Sequence, residues 1–420
     1  MSRRPLQALL AANAVSTAGT TMTLLAIPWF VLQTTGSASR TGIAAASETV
    51  PLVLASALGG PVVDRLGARR VSIVSDVVSA VGIGAIPLLH ATVGLRFWQL
   101  CLLIALVGLA RAPGDTSRSV LVPGLVRLAG VPMERATSAY DGVSRGARMV
   151  GAPLAGVLIA MWTAADVLLI DAATFLVSAA LIGRQVPASV RPALAQNDRA
   201  PYLTQLRSGL SYLRRDRLIA GITAMVMVTN LLDVAYSSVL IPVYARDVLR
   251  SSVGLGLIAG LFGAGALAGT ILYGAVGPRL PRWPVFTVAF LVGGAPRFFL
   301  FGLEPPLALL LAGCVLSGVA AGAINPVLAA VEFERIPEEL QSRVIGVLAA
   351  GVMAGMPVGA LAGGLLTTAV GLRGTLFITG VAYLATTLSP LVWPAWRQMD
   401  AGRTVVRRPQ PQKNAVAQMP

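Results

Sequence analysis

The sequence predicts an all-α membrane protein: twelve transmembrane helices in two pseudo-symmetric six-helix bundles. Three observations predict it: a composition too poor in charge for a water-facing surface, twelve apolar runs of membrane-spanning length, and an internal repeat about a polar middle. The 420 residues are 55% hydrophobic and 12% charged, with a mean hydropathy of +0.75. A soluble domain carries about 25% charged residues, so this chain is built for lipid.

A hydrocarbon core about 30 Å thick needs about 20 apolar residues per helix. Runs of that order lie near 8–33, 39–63, 71–91, 97–117, 136–161 and 165–184, then near 218–245, 253–277, 284–303, 306–331, 343–368 and 373–394. Lipid offers no partner to backbone N–H and C=O groups, so segments this long must be helical. Arg3 and Arg4 precede the first run. That run exceeds the roughly 7–15 residue core of a cleavable signal, so it reads as the first span.

Charge sets the orientation. With both termini in the cytoplasm, 24 of the 33 Lys and Arg residues fall on the inside, five fall in outside loops (Arg40, Arg96, Arg246, Arg250, Arg373) and four lie within spans. That inside excess is the expected bias for a multi-pass protein. Of the 33, Lys413 is the one lysine; with heavy Ala, Gly and Val use, this suggests a GC-rich bacterium and hence its cytoplasmic (inner) membrane. The net charge of +15 is scattered singly between apolar spans, which argues against nucleic acid as a partner. The expected partners are the bilayer and a small-molecule substrate, and the chain is expected to act as a monomer.

The domains follow: an N-terminal bundle over 1–184, a basic cytoplasmic linker over 185–217, a C-terminal bundle over 218–396 and a disordered tail over 397–420. Tyr202 to Arg217 reads as a basic amphipathic helix on the anionic inner leaflet. Across the linker the halves repeat. Gly60-Pro-Val-Val-Asp64-Arg65-Leu-Gly67 aligns with Gly274-Ala-Val-Gly-Pro278-Arg279-Leu-Pro281, and Gly151-Ala-Pro153 with Gly355-Met-Pro357. Duplicated bundles place a binding site near the midplane on the pseudo-symmetry axis.

The segment Gly60-Pro-Val-Val-Asp64-Arg65-Leu-Gly67-Ala-Arg69-Arg70 resembles the loop signature of the major facilitator superfamily, Gly-x-x-x-Asp-Arg-x-Gly-Arg-Arg/Lys. Pro123 to Val126, Ala136, Gly151-Ala-Pro153-Leu-Ala-Gly156 and Asp171-Ala-Ala-Thr-Phe175 resemble its branch of enterobactin and macrolide exporters. The resemblance implies the major facilitator fold, alternating access and proton-driven export. It also implies that Gly60, Asp64, Arg65, Gly67, Arg69 and Arg70 form a gate, with Asp64 facing the positive N-terminus of span eleven in the outward-open state. Gly151, Pro153 and Gly156 resemble an antiporter motif of span five. The branch commonly carries an acid after a glycine in span one; here Thr20 follows Gly19, so a proton site is moved or missing.

An ionisable group at the bilayer centre costs about 2.5–3.5 kcal/mol and needs a partner or a purpose. Asp233, one turn after Asn230, is the leading proton-carrier candidate, with Glu48 second. Asp76 and Asp115 are expected to pair with Arg69, Arg70 or Arg118 in the gate. Arg111 has Asp115 one turn away, Arg145 has Asp141 at i−4, and Arg148 has no local partner; if these arginines line a cavity, it suits an anionic or amphiphilic substrate. Asn13, Met22, Trp29 and Tyr236 are candidate cavity walls. No metal cluster, Ser/His pair or nucleotide-binding loop is evident around the lone His90, and Cys101 and Cys314 both sit in apolar runs, so neither an enzyme nor a cofactor is expected; the proton gradient would drive the cycle. A facilitator or importer of a small metabolite is the alternative.

Overall fold

The computed structural model describes residues 3–187 and 210–400. Among the described residues every regular element is helical. The first half comprises α1 (Arg4–Thr35), α2 (Ala38–Leu66), α3 (Ala68–Thr92), α4 (Phe97–Ala129), α5 (Met133–Met161) and α6 (Ala164–Gln185). The second comprises α7 (Arg217–Leu249), α8 (Ser252–Val276), α9 (Arg282–Leu303), α10 (Leu307–Arg335), α11 (338–370) and α12 (372–387). Each of the twelve expected spans falls on one of these helices.

Nine stretches among the described residues are long and apolar enough to cross a membrane. The last, Val344–Val392, holds two passes, because Gly371 (φ 77°, ψ 166°) leaves the helical region and lets α12 turn back. Only glycine adopts that conformation without strain. α2 and α5, each 29 residues, stand outside the nine; α5 has Arg145 and Arg148 in its apolar stretch. The chain is a multi-pass membrane protein.

Two expectations are corrected. The fourth span does not end near 117 but runs on to Ala129. Hydropathy drops at Asp115 and Arg118, yet the next turns bury Leu121, Val122, Leu125 and Val126 in a second apolar cluster with Leu9 and Val71. Arg118 is therefore not a loop residue. Nor does the tail begin at 397: Pro394–Asp400 form a 3₁₀ helix that buries Trp396 and Met399, and Asp400 accepts the Arg282 backbone N–H at 2.6 Å. The linker helix expected from Tyr202 lies outside the described residues before 210; residues 210–215 are helical.

The halves meet by a swapped pairing that reflects the repeat: α2 packs on α11, and α5 on α8. We call the end that bears both termini the inner end. The tight half-to-half contacts all lie toward the outer end. A Cβ on Gly42 would meet the Ala360 carbonyl oxygen at 2.5 Å, and one on Gly156 the Ser252 carbonyl oxygen at 2.5 Å. The Ser252 hydroxyl donates to the Gly156 carbonyl at 3.0 Å, and Arg246 of α7 donates to the Leu32 carbonyl of α1 at 3.0 Å. Toward the inner end, Gly142, Gly146, Gly263, Gly274 and Gly346 face open space, and Glu134, Arg135, Asp141, Arg145 and Arg148 of α5 are exposed. The bundles are closed at the outer end and splayed at the inner end.

Candidate functional site

Between the bundles lies a cavity of about 740 Å³. Its N-terminal wall is polar: Thr17, Thr20 and Thr21 of α1, Arg111, Asp115 and Arg118 of α4, and Arg145 and Arg148 of α5. Its C-terminal wall is largely apolar, with Leu255, Ile258, Ala259, Phe262 and Leu267 of α8, and includes Asp233, Tyr236 and Arg297. The volume is within the range of small-molecule sites, and apolar walls with few convergent polar groups are typical of them.

The N-terminal charges form one alternating chain. Glu48 of α2 accepts from Arg111 at 2.8 Å, and Arg111 lies 4.0 Å from Asp115. Asp115 in turn pairs with Arg118 at 2.8 Å, and Arg118 with Asp76 of α3 at 2.9 Å. Arg118 is 4% exposed and also donates to the Ser16 hydroxyl at 3.1 Å; Asp76, 2% exposed, accepts from Ser178 of α6 at 2.7 Å. Five side chains thereby tie α1, α2, α3, α4 and α6 together. A buried charge is tolerable only when paired and hydrogen-bonded, and the spacing along α4 puts Arg111, Asp115 and Arg118 on one face.

Among the described residues, the C-terminal bundle brings one ion pair to the cavity. Asp233 of α7 accepts from Arg297 of α9, whose guanidinium lies 4.6 Å from the Tyr236 ring centroid, 5.3 Å from Phe298, 5.5 Å from Phe262 and 5.8 Å from Tyr383. A planar, weakly hydrated cation suits such a cage. Beyond Asp233, α7 widens into π turns at Tyr236–Leu240 and Ala245–Leu249 around Pro242, which has no N–H to donate. Tyr236 at the first of these reaches the cavity.

The other sequence candidates fall as follows. Arg145 and Arg148 face the cavity and have no ion-pair partner among the described residues. The expected Asp141–Arg145 pair is absent among them, because both side chains stand exposed where the bundles splay. Asn230 reaches the Val352 carbonyl of α11 at 3.5 Å rather than Asp233. Asp76 and Asp115 pair with Arg118 and not with Arg69 or Arg70; Arg69 donates to the Gly183 carbonyl of α6 instead. Gly60 lies within α2, and Gly67 (φ 86°) makes the turn into α3. Asp64, Arg65 and Arg70 are exposed, and Asp64 has no ion pair among the described residues, although α11 packs on α2. Gly151 lies on α1, where a Cβ would be 2.9 Å from the Ala18 carbonyl oxygen, while Pro153 and Gly156 make the outer contact with Gly256 and Gly260 of α8. Of the candidate wall residues, Tyr236 lines the cavity, but Met22 and Trp29 are packed in the apolar core and Asn13 donates to Ser144 at 2.7 Å. The sequence reading quoted Asp171 in a family resemblance but did not weigh it as a site residue; it is a fully buried acid of α6. Its signal was an acidic residue in the otherwise apolar stretch Val167–Ile182.

Residues 9–253 and 223–418 match the family described as the Major Facilitator Superfamily. The multidrug efflux pump Tap of Mycobacterium tuberculosis is 29% identical over 403 residues, covering 95% of this chain and 96% of the relative. Macrolide efflux protein A of Streptococcus pyogenes is 22% identical over 382 residues, covering 88% and 91%. Among solved structures, the nucleoside transporter NupG superposes with a TM-score of 0.75 at 13% identity, over 93% of this chain and 99% of that one. A bacterial homolog of the human lysosomal transporter Spinster, in an inward-facing and unoccupied conformation, gives a TM-score of 0.70 at 15% identity, over 98% and 99%. At these identities the structural likeness is one of fold.

Proposed function

This chain belongs to the major facilitator superfamily, and on that premise we propose that it is a secondary active exporter of amphiphilic small molecules, driven by proton antiport. The observation that carries the reading is the cavity between two bundles, closed at one end and splayed at the other. Such a site is exposed to one face at a time when the bundles rock about their outer contacts. Similarity to a multidrug pump and a macrolide efflux protein supports export over uptake. Arginine placement supports an inner-membrane protein with both termini cytoplasmic, so that the splayed end loads from the cytoplasm. The chain works as a monomer on a small-molecule substrate, without nucleic acid, metal or organic cofactor.

Asp233 and Glu48 remain the proposed proton carriers. Each is held here by an arginine, and protonation of either would release that arginine to the cavity. Substrate charge follows from the wall. Glu48, Asp76, Asp115 and Asp233 oppose Arg111, Arg118 and Arg297; adding Arg145 and Arg148 leaves one net positive charge. A monoanionic head near Arg145 and Arg148, with its apolar body along α8, would neutralise the site in a low-dielectric setting where an uncompensated charge is costly. In the gate, Asp64 engages α11 only when the inner end closes.

The test is an efflux panel in a pump-deficient bacterial host, including erythromycin and chain-matched anionic and cationic amphiphiles, with and without a protonophore. Protonophore-sensitive efflux that favours the anion is expected, with Asp233→Asn losing accumulation against a gradient. Efflux indifferent to the protonophore would favour a facilitator and overturn the coupling.

A further inference from the structure

Asp171 differs from the acids of the charge chain and of the Asp233 pair. Glu48, Asp76, Asp115 and Asp233 each have an arginine within ion-pair distance. Asp171 is 0% exposed, and its hydrogen-bond partners are two threonines. The Thr23 hydroxyl of α1 donates to Oδ2. Thr174 Oγ1 lies 2.9 Å from Oδ1 and 2.8 Å from the backbone carbonyl of Asp171.

One hydrogen cannot serve both Thr174 contacts, since a hydroxyl carries a single donor proton. A helical threonine gives that proton to a carbonyl three or four residues back, and here that contact is the shorter. With the Thr174 proton on the backbone carbonyl, Oδ1 meets Oγ1 favourably only as an O–H donor, which is the arrangement of a carboxylic acid; with that proton on Oδ1, the carboxyl is a plain acceptor. The α1 backbone packs tightly on the carboxyl: a Cβ on Gly19 would stand 2.1 Å from Oδ1.

Among the described residues no cation stands within ion-pair distance of Asp171. α1 has no charged residue after Arg4. On α3, Arg69 is committed to the Gly183 carbonyl, Arg70 is exposed, Asp76 is tied to Arg118 and Ser178, and His90 meets the Phe30 ring. The charged residues of α5 lie at its exposed inner part. On α6 itself, Asp166 binds Thr163 at the helix start and Arg184 lies at the opposite end. The charged groups that act on Asp171 from beyond its own helix are Arg111 and Glu48, of opposite sign and bonded to each other.

We propose that Asp171 binds a proton in the form seen here, releases it to outer water when the outer end opens and takes one up again from that same side before the end closes. Asp171 lies seven residues into α6 from the outer end, about 10 Å at 1.5 Å per residue, so opening there brings water towards the α1–α6 seam. The O–H bond of the acid breaks, the proton passes to water, and Thr174 turns its hydroxyl to the carboxylate that remains. Release and uptake on one face carry no net proton across the membrane, so the site governs closure of the outer end rather than driving antiport; that role rests on the export reading, whereas the proton site itself can be measured without transport.

The test is infrared spectroscopy of the full chain in lipid vesicles at neutral pH, with carbon-13 aspartate to identify the carbonyl band of a protonated carboxyl. The isotope-shifted band is expected in the wild type, lost in Asp171→Asn and kept in Glu48→Gln and Asp233→Asn. Absence from the wild type, or persistence in Asp171→Asn, overturns the proposal. Should Asp171→Asn not fold, Asp171→Glu must remove the isotope shift, and a shift that stays is equally fatal. In the second arm Gly156→Leu or Gly42→Leu forces the outer contact apart; the band must weaken, and an unchanged band overturns the link to opening. A wild type that shows the band but exports none of the panel refutes export and leaves the proton site standing.

Discussion

Replacing Arg118 with methionine tests the alternating charge chain most directly. The guanidinium is 4% exposed and its partner Asp76 2%, so Arg118→Met strands a carboxyl that retains the 2.7 Å bond from Ser178 and loses its cation. Removing one member of a buried pair costs about 3–5 kcal/mol. The surviving Ser178 bond and the chance to take up a proton place the effect near the lower bound. Because a kcal/mol is worth about 2–4 °C in a bundle of 150–250 residues, purified Arg118→Met should melt about 6–12 °C below the wild type. The control is Arg118→Met combined with Asp76→Leu. Apolar residues that replace a whole buried pair are often neutral, so the double variant should recover most of the loss, and the excess over additivity measures the pair. Asp115 keeps Arg111 at 4.0 Å and faces the open cavity, since 60% of its side chain is exposed. A single variant within 2 °C of the wild type, or a double variant no better than the single, would refute the claim that this pair holds α3 to α4.

Three further outcomes are expected. At the outer contact, Gly156→Leu meets backbone atoms of Ser252 and Gly256 that cannot swing aside; with Cys101 and Cys314 replaced by serine, thiol labelling of Ser238→Cys in the cavity should slow from the inner face and quicken from the outer, and equal rates would count against rocking about this contact. Arg297→Lys keeps a cation for Asp233 but gives up the planar group among four rings, so melting should fall by the equivalent of about 1–2 kcal/mol, and by more in Arg297→Met; a lysine variant as stable as the wild type would show that the rings contribute nothing. Arg148→Gln should weaken binding of an anionic amphiphile about tenfold, as expected for one charge-assisted hydrogen bond, while a neutral analogue of the same chain length binds unchanged, measured by tryptophan quenching in vesicles.

What the sequence made legible was whatever repeats at short range. Apolar runs mark the helices, because lipid leaves the backbone no other partner, and the Gly151-Ala-Pro153 and Gly355-Met-Pro357 correspondence marks helices that fill equivalent places: a Cβ on Gly151 would approach the Ala18 carbonyl of α1, and one on Gly355 the Met227 carbonyl of α7. Partners distant in sequence were not legible. Arg118 read as a loop residue because hydropathy drops there, and as only one of three candidate partners for Asp76, which lies 42 positions away on another helix. Asp233 was singled out as a membrane charge, but its partner Arg297, 64 positions away, was only counted among the four basic residues within spans. Met22 and Trp29 read as cavity candidates by residue type, whereas the face each presents is fixed by the helix packed beside it.

Symmetry of the frame and asymmetry of its chemistry bear on how such a molecule could work. Both half-to-half seams use the same device, glycine against glycine at Gly42 and Gly364 and at Gly156 and Gly256, so backbones approach closely without interlocking side chains. A seam of that kind lets two rigid bundles rotate with little repacking, since no buried knob must leave its hole. The cavity charges, in contrast, are not duplicated: the alternating chain on α2, α3 and α4 stiffens the first bundle, while the pair that the second brings to the cavity lies beside the π turns of α7. An irregular helix next to a single ion pair is the more easily re-formed of the two arrangements. Local rearrangement on substrate or proton binding is therefore expected first at α7, with the N-terminal bundle moving as a body against it.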